Sequence, residues 1–452
     1  MRGMAFIQRE ARGQGTMFPV TLEELIPQDH LCRVIEAFVE RMNLAALSFE
    51  RAEPAETGRP GYDPRDLLKL YLYGYLQQVR SSRRLEAECK RNVEVMWLLG
   101  RLQPDHKSIA EFRRRNSAAL TEACAELVGL ARAVGLARAV GLVRGEWVAI
   151  DGSKFQAASS AVQVAEREAA KRYLQRLEAA DQQEELVIDE SAVAEALQKL
   201  REDGEPEARF MRGRQGKQPA YNVQIAVDSE HALVVAQQVT THANDLHCLL
   251  PMAEAAKAAV GNPAELHVVA DAGYANGEQA EACERQGIVP HVPAPRGVNN
   301  QGEGGLLDRS QFTYDADRDR FCCPAGETLE RKGVQKDRDR IIYQASERAC
   351  GACALKARCT QARRRTVYRQ VHEEALERMR QRATAEAMRL RRSCAEHPFA
   401  SLKYRIFGHP RFLLRGQRGA QAEISLGVLS YNLKRMLRVM GAALLIGRLA
   451  PA

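Results

Sequence analysis

The sequence has no long apolar run and no secretory signal. No apolar stretch approaches the ~20 residues that a membrane-spanning helix needs, and the N-terminal MRGMAFIQREARG has no apolar signal core. The 11 cysteines are not spaced like the disulfide framework of a secreted domain. We therefore expect a cytoplasmic protein without a membrane segment, in which clustered cysteines serve metal or redox chemistry.

Positive charge is in small excess overall but is concentrated in one region. The net charge of the chain is +8. Residues 361–418 contain 15 Lys or Arg and 5 Asp or Glu, so this segment carries +10 and the rest of the chain −2. Such a concentration is typical of a nucleic-acid site. A solvated helical face would give the same count, so charge alone leaves both interpretations open.

Helical patterns occupy the first 128 residues. DHLCRVIEAFVERM has helical apolar spacing after Asp29. Asp105 or Ser108 can cap another helix, and Ser108 with Glu111 forms a capping-box pattern there. Short helices with exposed basic turns predict a helix-turn-helix-like DNA-binding domain, although an ordinary helical bundle fits the same pattern. Residues 129–145 follow with the repeat GLARAVGLARAVGLVR, which we interpret as a duplicated helical linker.

Strands and helices mix after residue 146. The pattern predicts strands at WVAI, YNVQIAVD, ALVVAQQVT, ELHVVA and IVPHVPA. It predicts helices at DLHCLLPMAEAAKAAVG and NGEQAEACERQG. One antiparallel hairpin lies among them. The pattern predicts an α+β or α/β sheet domain. A charged, Ala-rich stretch within 160–210 predicts a helical insertion into this domain.

Two aspartates follow apolar strands in the same context. Asp151 ends WVAI and begins DGSKF, and Asp271 ends LHVVA and begins DAGYA. Functional groups collect at the carboxyl ends of buried strands. Two carboxylates there would repel each other without a cation, and hard oxygen ligands suit Mg²⁺ or Mn²⁺. The alternative is that each Asp caps the turn that follows it, as we expect for Asp245 at the next helix.

Glu396 is the candidate third carboxylate. It ends a predicted helix in the basic stretch LRRSCAEHPFASLKYR, with Arg389 and Arg392 on the same helical face. Pro398 lacks the N–H that would bond the carbonyl of Cys394, so we expect a kink or restart there. A surface Glu–Arg ion pair is the competing interpretation.

Four cysteines have the spacing of a metal site. Cys350, Cys353 and Cys359 follow Cys323 and include one CxxC pair, which suits a tetrahedral structural Zn²⁺ site. The polar segment 301–362 around them has little apolar content, and a bound metal would supply folding energy. Scattered reduced thiols are the alternative, and Cys322 is a possible substitute for its neighbour Cys323.

These stretches together resemble bacterial insertion-sequence transposases of the DDE type. The resemblance rests on VAIDGSKF, YNVQIAVD, VVADAGY, CPAG…CGACALKARCT and EHPFASLKYRIFG. RPGYDPRDLLKLYLYGYL…PDHKSIAEFRR resembles the helical DNA-binding domain of the same branch. The resemblance covers nearly the whole chain in order.

The resemblance implies a fold of class α+β or α/β with an RNase H-like mixed sheet flanked by helices. Residues 146–300 and 363–418 would form this catalytic domain, after an all-helical domain at 1–128. The helical insertion and a small zinc-binding module with four cysteine ligands at 301–362 would interrupt it, and 419–448 would form a C-terminal packing helix.

The resemblance also assigns site residues. It makes Asp151, Asp271 and Glu396 the catalytic, metal-binding triad for two Mg²⁺ or Mn²⁺ ions. The family pattern Tyr-x2-Arg-x3-Glu-x6-Lys matches Arg392, Glu396 and Lys403 in spacing, and Arg389 stands at the Tyr position. Further expected DNA contacts are Lys154 and Arg405.

The expected activity is DNA transposition. The enzyme would bind the terminal inverted repeats of its insertion sequence, cleave DNA strands by metal-dependent hydrolysis and join the 3′ ends to target DNA. The alternatives are an inactive, transposase-derived DNA-binding protein and an RNase H-like nuclease without strand transfer. We expect a homodimer or larger assembly on DNA, located at the bacterial nucleoid.

Overall fold

The computed structural model describes residues 21–54, 61–133, 142–181, 190–202, 205–213, 216–294, 306–335 and 340–449. The chain divides into two compact units, one of residues 1–127 with 401–452 and one of residues 128–400. We call them the helical unit and the sheet unit. Residues 134–141 of the expected linker lie outside the described residues. No helix in the described ranges is long and apolar enough to cross a membrane.

Helices and strands are numbered in chain order. The helices are α1 Leu22–Leu25, α2 Leu31–Arg41, α3 Pro64–Leu76, α4 Ser82–Arg91, α5 Val93–Leu98, α6 His106–Arg115, α7 Ser117–Ala133, α8 Ala161–Asp181, α9 Glu190–Glu202, α10 Leu249–Ala259, α11 Gly277–Arg285, α12 Glu347–Gly351, α13 Lys356–Cys359, α14 Glu373–Arg382, α15 Ala385–Ala400, α16 Gly416–Met440 and α17 Ala442–Leu449. The strands are β1 Trp147–Gln156, β2 Arg209–Gly213, β3 Gly216–Asp228, β4 Val234–Thr240, β5 Leu266–Val269, β6 Ile288–His291, β7 Thr313–Asp315, β8 Arg320–Cys322, β9 Thr328–Gln335, β10 Arg340–Ala345 and β11 Thr366–Gln370.

The helical unit is built around α3, which is buried along nearly its whole length. Asp63 caps this helix by accepting the N–H of Arg65, and Pro64 occupies the first turn, where its missing N–H costs nothing. Helices α2, α5, α6 and α16 pack against α3. The expected helix at 419–448 is two helices, because Gly441 adopts a positive φ of 78° between α16 and α17. Residues 401–418, which we expected in the catalytic domain, belong to the helical unit.

A buried carboxylate joins distant segments of the helical unit. Glu423 on α16 is fully buried, and its Oε2 lies 3.2 Å from Nη1 of Arg80 and 3.7 Å from Nη1 of Arg113. Its Oε1 accepts the backbone N–H groups of Leu413 and Leu414, both at 2.6 Å. Both oxygens are therefore engaged by donors of the protein, as a buried charge requires.

The sheet unit contains a mixed sheet in the order β4–β3–β1–β5–β6, and β2 pairs with the first part of β3. Strands β1, β3 and β4 are antiparallel neighbours, whereas β1, β5 and β6 are parallel. Helix α15 packs on β1, β3 and β5, and α10 packs on β4, β3 and β1. This is the expected RNase H-like mixed sheet with flanking helices.

Strand β1 is longer than expected. The sequence predicted that it ends at Asp151, but it runs to Gln156 because Gly152–Gln156 continue to pair with β3. Its parallel partner β5 pairs only as far as Val269 opposite Ala149. Asp151 therefore lies within β1, at the height where β5 has ended.

The segment 301–362 forms more regular structure than its composition predicted. Strands β7 to β11 make a five-stranded antiparallel sheet, and the last strand, β11, lies wholly after residue 362. This sheet has its own apolar core of Phe312, Phe321, Leu329, Ile341, Tyr343, Ala345 and Val367. The expectation of little apolar content was wrong, because single aromatic and branched residues separated by charged ones all turn to the same side of short strands. We call this sheet with α12 and α13 the cysteine module.

Candidate active site

Two aspartates meet beyond the end of β5. Asp151 comes from β1, and Asp271 precedes the 3₁₀ turn Ala272–Tyr274, where its Oδ1 accepts the N–H of Gly273 at 2.8 Å. In the parallel register Ala149 is opposite Val269. Asp151 and Asp271 each lie two residues beyond this pair, so the two aspartates are at the same height and on the same side of the sheet.

Arg391 on α15 binds both aspartates. Its Nη2 lies 3.0 Å from Oδ1 of Asp151 and 3.5 Å from Oδ2 of Asp271. The two carboxylates are thus close enough to share one guanidinium nitrogen, and this cation offsets part of their mutual repulsion. From the sequence, Arg391 belonged only to the basic background. The available signal was its position on the same helical stripe as buried Ala387 and Cys394.

The electrostatics of the pair depend on burial. Burial raises the pKa of Asp151 to about 6, the Arg391 guanidinium opposes this rise, and the neighbouring Asp271 adds to it. The side chain of Asp151 is 16% exposed and that of Asp271 is 43% exposed. One carboxylate is therefore held inside the protein and the other opens to solvent, as expected for a site that receives a ligand.

Glu396 is not in contact with this pair. It is exposed on α15, and within the described residues it has no hydrogen-bond or ion-pair partner. Arg391 meets Asp151, and Phe399 packs near Phe155 with ring centroids 6.5 Å apart, so α15 runs alongside β1 in the same direction. Glu396 lies five residues beyond Arg391, about 7.5 Å further along the helix axis.

Arg389 and Arg392 are exposed on α15 and form no ion pair with any described residue. Pro398, where we expected a kink or a restart, lies inside α15. Helix α15 extends to Ala400, and a π-helical segment, Ser401–Ile406, follows it in the chain. Lys403 and Arg405 lie in that segment, Lys403 half-buried and Arg405 exposed, and both belong to the helical unit.

Lys154 faces away from Asp151. Alternation along β1 puts Asp151 on the α15 side of the sheet and Lys154 on the opposite side. There the ammonium of Lys154 lies 3.6 Å from Oδ1 of Asp245. The same oxygen accepts hydrogen bonds from Asn222 at 2.6 Å and Gln224 at 2.7 Å.

Asp245 does not cap the following helix with its side chain, contrary to our expectation. Helix α10 begins after Cys248, which has no side-chain cap, and only the backbone carbonyl of Asp245 accepts the N–H of Cys248. Amide donors on β3 attract the carboxylate more strongly than the exposed helix end does. No local pattern in the sequence indicates this, because the donors are more than twenty residues away.

The four expected zinc ligands converge in the cysteine module. Cys323, Cys350, Cys353 and Cys359 line one small cavity, and Cys322 is not among its lining residues. Burial raises the pKa of the Cys359 thiol, Arg365 opposes the rise, and the three other thiols add to it. The geometry therefore favours Cys323 over Cys322 as the fourth member.

Another possible metal-binding group occurs in the helical unit, where donor atoms of His30, Cys32 and Glu94 lie within 4.8 Å of one another. Its hydrogen bonds explain it without a metal. Nδ1 of His30 accepts the N–H of Cys32 at the start of α2, which leaves the ring proton on Nε2, 3.5 Å from Glu94. Burial also raises the pKa of the Cys32 thiol to about 12.

The aspartate pair has the chemistry of a divalent-metal site. Its donors are hard carboxylate oxygens that already attract a cation. Nε of Arg391 is buried without a hydrogen-bond partner in the described part of the chain. This N–H is a donor, so an anionic ligand could satisfy it but a metal ion could not.

Comparisons with known proteins identify the family. The model of the Transposase DDE domain matches residues 148–433, and that of the Transposase domain (DUF772) matches residues 20–115. No curated protein matches the chain. A cryo-EM structure of a piggyBac transposase synaptic complex with hairpin DNA aligns over 93% of this chain and 85% of that one, at 9% identity. Its TM-score of 0.25 is too low to support any conclusion. Since the DDE domain spans more than half of the sequence, the chain belongs to the DDE transposases of insertion sequences.

Proposed function

We propose that this protein cleaves DNA at the terminal inverted repeats of its element and joins the resulting 3′ ends to target DNA. The observation that carries the proposal is the meeting of Asp151 and Asp271 at one nitrogen of Arg391. Their match to the Transposase DDE domain supports phosphodiester chemistry rather than another use of paired carboxylates.

Asp151, Asp271 and Glu396 are the residues that would hold the divalent ions. When bound, two Mg²⁺ or Mn²⁺ ions would activate an attacking oxygen and stabilise the leaving oxygen of an in-line displacement. Glu396 is exposed and unpaired among the described residues, so its carboxylate is available. Its contribution requires α15 to bring it toward the pair when DNA and metal bind.

Arg389 and Arg392 would hold the DNA backbone beside the carboxylates. Both are exposed on α15 without an ion pair in the described ranges, and each can bind phosphate oxygens. Lys154 is a weaker candidate because its ammonium is engaged by Asp245. Lys403 and Arg405 extend the same basic segment, and we propose that they contact the strand further from the cut.

The helical unit would recognise the terminal repeats. Its match to the Transposase domain (DUF772) and the exposed basic residues on α4 and α6 support this role. Transposition acts on two ends together, so we propose a dimer or larger assembly on DNA. The place of action would be the bacterial nucleoid.

We also propose that the cysteine module binds one structural Zn²⁺ through Cys323, Cys350, Cys353 and Cys359. The common cavity of the four thiols supports this ligand set. Chelator-washed protein is expected to contain about one zinc per chain by elemental analysis. Cys353→Ser should lose the zinc and Cys322→Ser should keep it. Zinc-free wild-type protein, or equal zinc contents in the two variants, would contradict the assignment.

The proposed activity is tested with DNA carrying the inverted repeats that flank the gene. Purified protein with Mg²⁺ should nick intact ends, and it should join pre-cut ends to a target plasmid. Nicking without joining would identify a nuclease, and binding without either reaction would identify an inactive DNA-binding protein. Omission of the divalent ion is the control that should stop both reactions.

A further inference from the structure

We infer that Asp245 is a positioning residue that holds the turn carrying Asp271, acting through Gln224 and Tyr274. The inference rests on the proposed function, since it assigns Asp271 to the metal site. It adds residues on the opposite side of the sheet from Asp151, which neither the sequence motifs nor the family match assigns to the site.

A chain of hydrogen bonds connects Asp245 to this turn. The amide of Gln224 donates to Oδ1 of Asp245 at 2.7 Å, and its oxygen accepts the hydroxyl of Tyr274. Gln224 and Tyr274 are both fully buried. Tyr274 is the last residue of the 3₁₀ turn that begins directly after Asp271, so the bond fixes one end of the turn while Asp271 caps the other.

Asp245 sets the orientation of the Gln224 amide. A glutamine amide could point either its oxygen or its nitrogen at Tyr274. Because the carboxylate of Asp245 only accepts hydrogen bonds, it takes the nitrogen and leaves the oxygen for the Tyr274 hydroxyl. Asn222 and Lys154 hold the carboxylate in place through the same oxygen, Oδ1.

Two glycines provide the space for this arrangement. A Cβ on Gly152 would collide with Nε2 of Gln224 and lie 2.7 Å from Oδ1 of Asp245. A Cβ on Gly273 would lie 2.9 Å from Oδ1 of Asp271 and 3.8 Å from Oδ2 of Asp245. The second oxygen of Asp245 therefore faces the turn itself. Gly152 directly follows Asp151 and Gly273 lies two residues after Asp271, so the network adjoins both predicted metal ligands.

A positioning role differs from a general contribution to stability in what it changes. Outer residues that orient a metal ligand affect metal affinity by ~10–100-fold when they are removed. A buried polar network without that role would change only the stability of the sheet unit. Metal affinity measured without DNA separates the two cases, and it does not depend on catalysis.

The test uses Tyr274→Phe, which removes one hydroxyl, and Asp245→Asn, which removes the charge that orients Gln224. Tyr343→Phe is the matched control, because this buried tyrosine also donates to an aspartate, Asp319, but lies in the cysteine module. Mn²⁺ affinity of the full chain is measured by titration calorimetry, and DNA cleavage is measured across a range of Mg²⁺ concentrations. Thermal unfolding reports on folding.

Both site variants should bind Mn²⁺ ~10–100-fold more weakly than wild type, and high Mg²⁺ should restore much of their cleavage. The control should bind Mn²⁺ like wild type. Wild-type affinity in either folded site variant would overturn the positioning role, as would loss of folding in both. Wild-type protein that neither binds Mn²⁺ nor cleaves DNA would instead overturn the proposed function itself.

Discussion

Each unit contains a constellation in which carboxylates meet arginines, and the two differ in how the charges are arranged. In the helical unit, Glu423 is fully buried between Arg80 and Arg113, and two backbone N–H groups occupy its other oxygen. In the sheet unit, Asp151 and Asp271 share a single nitrogen of Arg391, and Asp271 is 43% exposed.

The two clusters differ in their balance of charge and in their exposure. The Glu423 cluster places two cations around one anion and engages both oxygens of that carboxylate. The aspartate pair places two anions around one cation and remains open to solvent at Asp271. The ratio of carboxylates to cations and the exposure, rather than the residue types, distinguish the two clusters.

The largest effect is expected from the aspartate pair. Asp151→Asn, Asp271→Asn or Glu396→Gln should lower strand cleavage by at least ~10³-fold, because losing ~4 kcal/mol of transition-state stabilisation corresponds to three factors of ten. Binding to the element ends, measured by gel shift, should stay close to wild type. Full cleavage in Mg²⁺ by any of these variants would remove that residue from the triad.

A substitution in the Glu423 cluster should lower stability rather than DNA cleavage. Glu423→Gln leaves Arg80 and Arg113 buried without their counter-charge, so the free energy of unfolding of the helical unit should fall by ~3–5 kcal/mol. Urea denaturation followed by circular dichroism measures the change. Glu111→Gln is the matched control, because Glu111 pairs with Arg115 near the surface and its loss should cost ~1 kcal/mol or less. Equal effects of the two substitutions would show that burial does not distinguish them.

A smaller effect is expected from pH on the free energy of unfolding. The pKa of Asp151 is raised by burial to about 6, against 3.8 for an ordinary Asp. Between these values the folded protein holds a proton that the unfolded chain releases. Stability of the metal-free protein should therefore fall as pH rises from about 4 to about 6, by on the order of 2–3 kcal/mol, and then level off. Denaturation of wild type and Asp151→Asn across this range measures it. An identical slope in the variant would assign the effect to other groups.

The sequence predicted the parts of the site that depend on local pattern. The meeting of Asp151 and Asp271 could be predicted because each follows an apolar strand, and the strand order of a mixed α/β sheet brings such strand ends together. The confirmed RNase H-like sheet does so here. The spacing of the four cysteines predicted that they converge. Predicting these features requires only neighbouring residues and the general rules of sheet assembly.

What the sequence could not predict depends on contacts between distant segments. The partner of the aspartate pair, Arg391, is fixed by how α15 is rotated against β1, and Arg392 beside it looks identical in the sequence. Asp245 turns away from its helix because Asn222 and Gln224 offer better donors. The length of β1 beyond Asp151 was missed because its partner β3 supports it, whereas its own Gly and Lys weaken the strand pattern.

The chain position of Glu423 has a consequence for synthesis. It lies 343 positions after Arg80, so the ribosome makes α3 to α6 long before it makes α16. Until then Arg80 and Arg113 lack the Glu423 carboxylate, and α3 lacks the helix that packs on it. A nascent chain would therefore hold its helical unit unfinished until the sheet unit has been translated, and products that stop before α16 would lack the folded helical unit.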